Sequence, residues 1–259
     1  MEEETEGMVE MNSSEEVVVI FEDEIFENHI REQLSIPTGD ITSTDMLNLY
    51  SLSIPELGVT NLTGLEYALA LDSFSLSTEN IKSLEPLKNL NSLKRLSLRY
   101  STIENLPIEF SEDVNFTSVS IVNTPINDIT FLAHMTDINH LTITDAGLTD
   151  ISPIEGLNNI QQLNLRGNEI KDISALRGRN SIEILNLQHN KVSDVGPLEG
   201  LERLYDFVLS YNPAYNLKPL ETLPSLETLV IYLEHENKHV IYDQVDVLKN
   251  MGIEVEYNR

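Results

Sequence analysis

The sequence predicts an α/β solenoid: a curved right-handed stack of coils with a parallel β-sheet on its concave face, an N-terminal helical cap and a C-terminal helix-strand cap. Three observations predict it. A large apolar residue, two free positions, an apolar residue, one free position and a third apolar residue recur from Leu71, Leu93, Phe116, Ile138, Ile160, Ile182, Leu204 and Leu226. Neighbouring starts differ by 22, 23, 22, 22, 22, 22 and 22 residues, and a degenerate copy begins at Leu49. The apolar residues are mainly Leu and Ile, and Trp is absent, as suits one narrow column filled repeatedly. Such a period marks units that bury their apolar faces only against their neighbours.

Each position in the repeat has a physical task. Apolar residues at places one, four and six give a short strand one inward side chain in two. Asp128, Asp150, Asp172 and Asp194 lie twelve residues past their starts, where a short side-chain oxygen can cap the amides of the next turn. Pro86, Pro153, Pro197 and Pro219 lie fifteen past, and fix φ on the outer, convex segment. Asn168, Asn190 and Asn212 hold place nine, where an amide can bridge the backbones of successive coils. Glu79, Ser101, Thr124 and Ala146 hold it earlier, so the C-terminal half is expected to be the more rigid.

The ends do not repeat. Residues 1–16 carry seven Glu and no Lys or Arg, and read as an acidic disordered tail. The N-terminal cap is expected over residues 17–48. It comprises a strand at Val17 to Phe21, a helix carrying Phe26, Ile30 and Leu34 that Gly39 and Asp40 break, and a second helix capped by Ser43 or Thr44. The repeats, one degenerate plus eight, take 49–234, and the C-terminal cap takes 235–259. In that last cap Val245, Leu248 and Met251 suggest a helix closed by Gly252, and Ile253, Val255 and Tyr257 alternate as a strand.

The copies from Ile160 and Ile182 match the leucine-rich repeat. The segment FEDEIFENHIREQLSIPTGDIT, then NLTGLEYALAL from Asn61 to Leu71, and coils ending in LEPL, ISPI and VGPL resemble bacterial internalin-type leucine-rich repeat proteins over roughly residues 17–259. The resemblance implies a protein that binds partners and turns over no substrate, in a family often exported or wall-attached. As written, the chain has neither a basic n-region nor an apolar h-region, so a cytoplasmic location is expected. A secreted or cell-surface location follows if the native product carries a signal outside this sequence.

The net charge of -27 makes nucleic-acid phosphates and anionic membranes poor partners. No apolar run is long enough to span a bilayer, so membrane insertion is not expected. Cysteine is absent, which excludes disulfides, thiolate metal sites and a cysteine nucleophile. His235, Glu236 and His239 spell H-E-x-x-H, a zinc-peptidase pattern, but the motif directly follows a strand and no third histidine comes after it. A solvated connection is the expectation, with no catalytic residue, metal or cofactor. His29 on the cap helix and His134 in a turn are expected at the surface, with His140 and His189 on outward-facing strand positions.

Free places three, five, seven and eight list the concave face by arithmetic. Its N-terminal third is small and polar, with serines such as Ser51, Ser73 and Ser97. Expected partner-binding residues are Arg95, Arg99, Tyr100, His140, Arg166, Ile184, His189, Val208, Tyr211, Val230 and Tyr232, with Leu233 in the same apolar third. Tyr and Arg dominate interface energetics, and aliphatic neighbours exclude water around them. Counting Glu56, Asp145 and Asp206 against Arg95, Arg99 and Arg166 makes the face near neutral on an acidic body. A second candidate surface is a convex bulge in the 23-residue coil around Pro107, Phe110 and Glu112.

These residues point to a monomeric, non-enzymatic module binding a protein or peptide. Alternatives are an immunity or inhibitor protein for a basic toxin or nuclease, and a cell-envelope glycan or host-receptor binder. Metal analysis of chelator-treated, zinc-reloaded protein is expected to find no stoichiometric zinc; tight zinc in a one-to-one ratio would make the H-E-x-x-H segment a site.

Overall fold

The computed structural model describes residues 16–56, 58–103, 110–233 and 241–258. Most of the acidic tail, Pro107 and the whole H-E-x-x-H segment lie outside them. Among the described residues ten strands form one sheet in chain order: β1 Ser51–Ile54, β2 Ser73–Leu76, β3 Arg95–Arg99, β4 Ser118–Val122, β5 His140–Thr144, β6 Gln162–Asn164, β7 Ile184–Asn186, β8 Asp206–Val208, β9 Thr228–Ile231 and β10 Glu254–Tyr257. Every pairing is parallel, and residues one repeat apart face each other, as in Ser73 with Arg95 and Leu163 with Leu185. The chain is thus a leucine-rich repeat solenoid with small caps.

Register follows from the apolar code. The residues at places one, four and six of all nine copies are buried, none more than 7 % exposed. A one-residue slip would turn that column out to solvent. The 23-residue coil keeps this register, since Arg95 pairs with Ser118. Ile103 and Phe110 are both buried at places that Ile81 and Leu87 hold in the preceding coil, but one residue further apart. The extra residue therefore falls between them in sequence. Phe110 packs its ring against Phe116 at 5.1 Å and Phe131 at 5.9 Å.

The return path away from the sheet uses one device repeatedly. Asp128, Asp150, Asp172 and Asp194 each accept the N–H two residues on, at 2.8 Å. Asn61, Ser83 and Asn216 do the same at 2.8, 3.2 and 3.2 Å. Bonds from the Thr130 hydroxyl and amide hold the Asp128 carboxyl below its ordinary 3.8, and the Ser174 amide and hydroxyl do so for Asp172. A short 3-10 turn follows, opened in four coils by Pro86, Pro153, Pro197 and Pro219.

Inside the stack, place nine works as a ladder only in the C-terminal half. Asn168 donates to Ile143 O at 2.7 Å and Leu165 O at 2.8 Å, and accepts from Ala146 N and Leu148 N. Asn190 and Asn212 repeat this, bonding the carbonyls of Leu165 and Leu187 across one coil and accepting from Ile170 N and Val192 N. Ser101 and Thr124 are buried but reach less far: Thr124 Oγ1 accepts from Ser101 N at 3.2 Å. In the coil before, Glu79 is exposed, and Thr78 is the buried residue instead.

The caps differ from expectation in detail. Helix α1 spans Glu24–Leu34 and ends at Ser35 in the left-handed region, four residues before Gly39. Asp23 caps it at Ile25 N and Phe26 N, and its second oxygen takes Thr60 N at 2.7 Å and the Thr60 hydroxyl at 2.9 Å, fastening cap to solenoid. Burial pushes the Asp23 carboxyl up, yet these donors outweigh it and hold the group below 3.8. Helix α2, Ser43–Met46, is capped by Thr42 in a capping box with Asp45, because the Ser43 hydroxyl serves Val17 N. Val17 to Phe21 forms no strand. Its partner segment is only Ile41 to Ser43, so pairing reduces to a bridge between Val18 and Thr42 flanked by two further backbone bonds. His29 is no bare surface residue, since its Nε2 lies 2.9 Å from Ser53 O on the edge strand β1. At the other end α3 spans Tyr242–Asn250 with Val245 and Leu248 buried, whereas Met251 caps it half exposed and Ile241 fills the third core place.

Hydrogen exchange is expected to be slower around Leu163 to Leu209 than around Leu71 to Ile143, and the reverse order would remove the ladder as the cause. Asp23→Asn is expected to cost about 1–3 kcal/mol at neutral pH by weakening charge-assisted bonds. A depressed carboxyl stabilises above its unfolded pKa and loses that contribution as pH falls through the folded value. The gap between wild type and variant in urea unfolding should therefore close below pH 3.8; a constant gap contradicts this.

Candidate functional site: the open face of the sheet

The parallel register decides which side chains share a face. Places three and five alternate with the buried ones, so they project from the open side in two columns. One runs from Ser51 through Arg95, His140 and Ile184 to Thr228; the other runs from Ser53 through Asn186 and Val208 to Val230. The expected surface residues thus divide by position. Arg95, Arg99 and His140 are exposed on β3 and β5, and Ile184, Val208 and Val230 are half-buried on β7 to β9. Arg166, His189 and Tyr211 lie just past strand ends and not on them.

That last point corrects the strand placement of His189 and reveals a feature the sequence did not announce. At place eight of six successive coils the backbone turns left-handed: Tyr100 φ 50, Asn123 φ 49, Asp145 φ 52, Gly167 φ 72, His189 φ 54 and Tyr211 φ 59. The turn swings place nine inward to its ladder position. Gly167 adopts it freely, whereas side-chain-bearing residues there cost about 1–2 kcal/mol each, least for Asn and Asp. In the last coil Leu233 does not make this turn and is buried, so it belongs to the core and not to the apolar surface.

The left-handed residues project along the rim, one above the next. The rings of His189 and Tyr211 stack at 4.3 Å and 4°, and Tyr211 and Tyr232 follow at 6.3 Å and 20°. Tyr232 donates its hydroxyl to Glu256, which pushes the phenol above its ordinary 10.0. Tyr100 stands apart, 60 % exposed, with no ring partner among the described residues.

Charge on the face also needs correction. Strand β10 pairs in register with β9, Glu254 opposite Thr228 and Glu256 opposite Val230. Both glutamates therefore join the open face, making five acids, with Glu56, Asp145 and Asp206, against Arg95, Arg99 and Arg166. Arg95 is paired with Asp72, and Arg166 Nη1 lies 3.8 Å from Asp145 Oδ2. Arg99 has no ion pair among the described residues. The C-terminal end of the face is consequently acidic around an apolar and aromatic patch.

No protein-family model and no curated protein sequence matches the chain. Solved structures do. Internalin C2 from Listeria monocytogenes is similar with a TM-score of 0.74 and 26 % identity, over 84 % of this chain and 98 % of that one. Internalin F from the same organism gives 0.69 and 21 %, over 92 % and 77 %. A leucine-rich repeat protein of Leptospira interrogans gives 0.54 and 17 %, over 74 % and 46 %.

Replacing Tyr100 by Gly is expected to raise unfolding free energy by about 1 kcal/mol, because the left-handed strain leaves with the side chain. Urea unfolding checks it, and a clear loss of stability would show that the Tyr100 ring is held by packing.

Proposed function

Since the chain is an internalin-type leucine-rich repeat protein, we propose that it recognises a protein or peptide partner on the open face of its sheet, anchored in the C-terminal third. One observation carries this reading: the His189, Tyr211 and Tyr232 rings stack beside half-buried Ile184, Val208 and Val230. Pre-stacked rings lose little rotamer freedom on binding. The role is binding and not catalysis, because the face assembles aromatic, aliphatic and paired charged groups, the types that make interface anchors. Coils tied by backbone bonds favour association with little change of shape.

Charge favours one refinement. With Asp206, Glu254 and Glu256 at the anchoring end and a net charge of -27, a basic partner is steered in and an anionic one repelled. An inhibitor of a basic toxin or nuclease is the second reading on this ground. A glycan receptor fits less well, since sugars need free ring faces and the Tyr211 ring lies between those of His189 and Tyr232. No helix among the described residues is long and apolar enough to cross a membrane.

Affinity capture from the source organism tests the proposal, comparing wild type with an Arg99→Glu, Tyr211→Asn, Tyr232→Ala variant. Asn keeps the left-handed backbone at place eight. A protein retained by wild type and lost by the variant, with an association rate that falls as salt rises, is the expected result. Equal recovery by both baits would move the site to the convex side or the caps.

A further inference from the structure

We propose that Asp145 and His189 together hold an arginine side chain of the partner. The inference rests on the open-face reading and gives that face its first specific contact. Asp145 and Gly167 occupy place eight in adjacent coils, and the Asp145 carboxylate leans over the glycine. Any Cβ at Gly167 would lie 2.0 Å from Asp145 Oδ1 and 2.8 Å from its carboxyl carbon. Gly167 is thus needed for more than its φ of 72, because a side chain there would evict the carboxylate.

The next coil carries His189. Gly167 N donates to Gln188 O at 2.8 Å, so the two coils are in contact at this point. Neighbouring strands lie about 4.8 Å apart, which sets the carboxylate one coil from the imidazole. One face of that ring lies against Tyr211, and on its other side Gly167 has no side chain of its own and leaves room for the Asp145 carboxylate. The pair is an anion one coil from a fixed ring.

A guanidinium fits both halves. It is planar, donates in a fork to a carboxylate and lies on aromatic rings within about 6 Å of their centroids. A lysine ammonium offers a point charge without fork or plane, and it keeps its hydration more strongly. The chain's own rival is Arg166, whose Nη1 stands 3.8 Å from Oδ2, beyond hydrogen-bond distance. Oδ1 accepts no hydrogen bond from the described residues. The net charge of -27 raises the local concentration of any approaching cation.

The test is a nuclear magnetic resonance titration of the full 15N-labelled chain with N-acetyl-arginine methylamide and its lysine counterpart. The arginine probe is expected to shift the Gly167 and His189 signals and to saturate in the millimolar range, with the lysine probe about tenfold poorer. Asp145→Asn removes the charge and keeps a residue suited to the left-handed turn, and His189→Asn removes the ring. Each should weaken the arginine probe about tenfold while the remaining amide signals stay in place. Gly167→Asn, whose side chain displaces the Asp145 carboxylate, should do the same. Equal response to both probes, a strongest response elsewhere, or full affinity in Asp145→Asn would overturn the proposal. A partner whose capture depends on Tyr211 but survives Asp145→Asn would remove the arginine site and leave the recognition reading standing.

Discussion

Everything in this molecule depends on the parallel pairing that sets each coil one repeat above the last. A single coil buries too little apolar surface to hold its shape, so places one, four and six gain their burial only when the next coil repeats them in register. The same constraint sorts the outside. A residue at place three or eight always lies over its counterpart, so a side chain that recurs in sequence becomes a column in space. The His189 and Tyr211 stack and the leaning of Asp145 over Gly167 are both products of that arithmetic.

Register also explains why strain is tolerated on the rim. Place nine must point inward for Asn168, Asn190 and Asn212 to reach carbonyls of the preceding coil, and the left-handed residue before each makes that turn. Buried amides without partners would cost about 1–3 kcal/mol each, comparable to the strain of the turn. The exchange is close to even, which leaves the identity of place eight free to vary. Tyr100, Asp145, His189 and Tyr211 stand there in spite of the conformational cost.

The repeat was legible in the sequence because each of its signals is local. Apolar periodicity, the Asp at place thirteen and the Asn at place nine predict their own environments, and each is observed as read. What was missed depends on partners distant in sequence. Val17 to Phe21 has strand composition but only a three-residue partner, and Ser43 looks like a cap yet serves Val17. Leu233 counts as a face residue by arithmetic but sits where the turn is no longer made. Glu254 and Glu256 were legible as alternating residues of a strand; treating that strand as one more coil would have placed them on the face. The ring stack was half legible, since His189 and Tyr211 are one repeat apart, but the left-handed backbone that aligns them leaves no mark in residue type.

The most direct test of the account asks which face meets the partner. The chain has no cysteine, so a single one introduced at Val230 or at Glu155 carries a photoreactive label at a unique place. Val230 lies on the open side of β9, and Glu155 lies on the opposite, return path of its coil. Illumination in lysate or on cells of the source organism should give one discrete protein adduct from the Val230 label and none from the Glu155 label. An adduct from Glu155 alone would place recognition on the convex side and contradict the account.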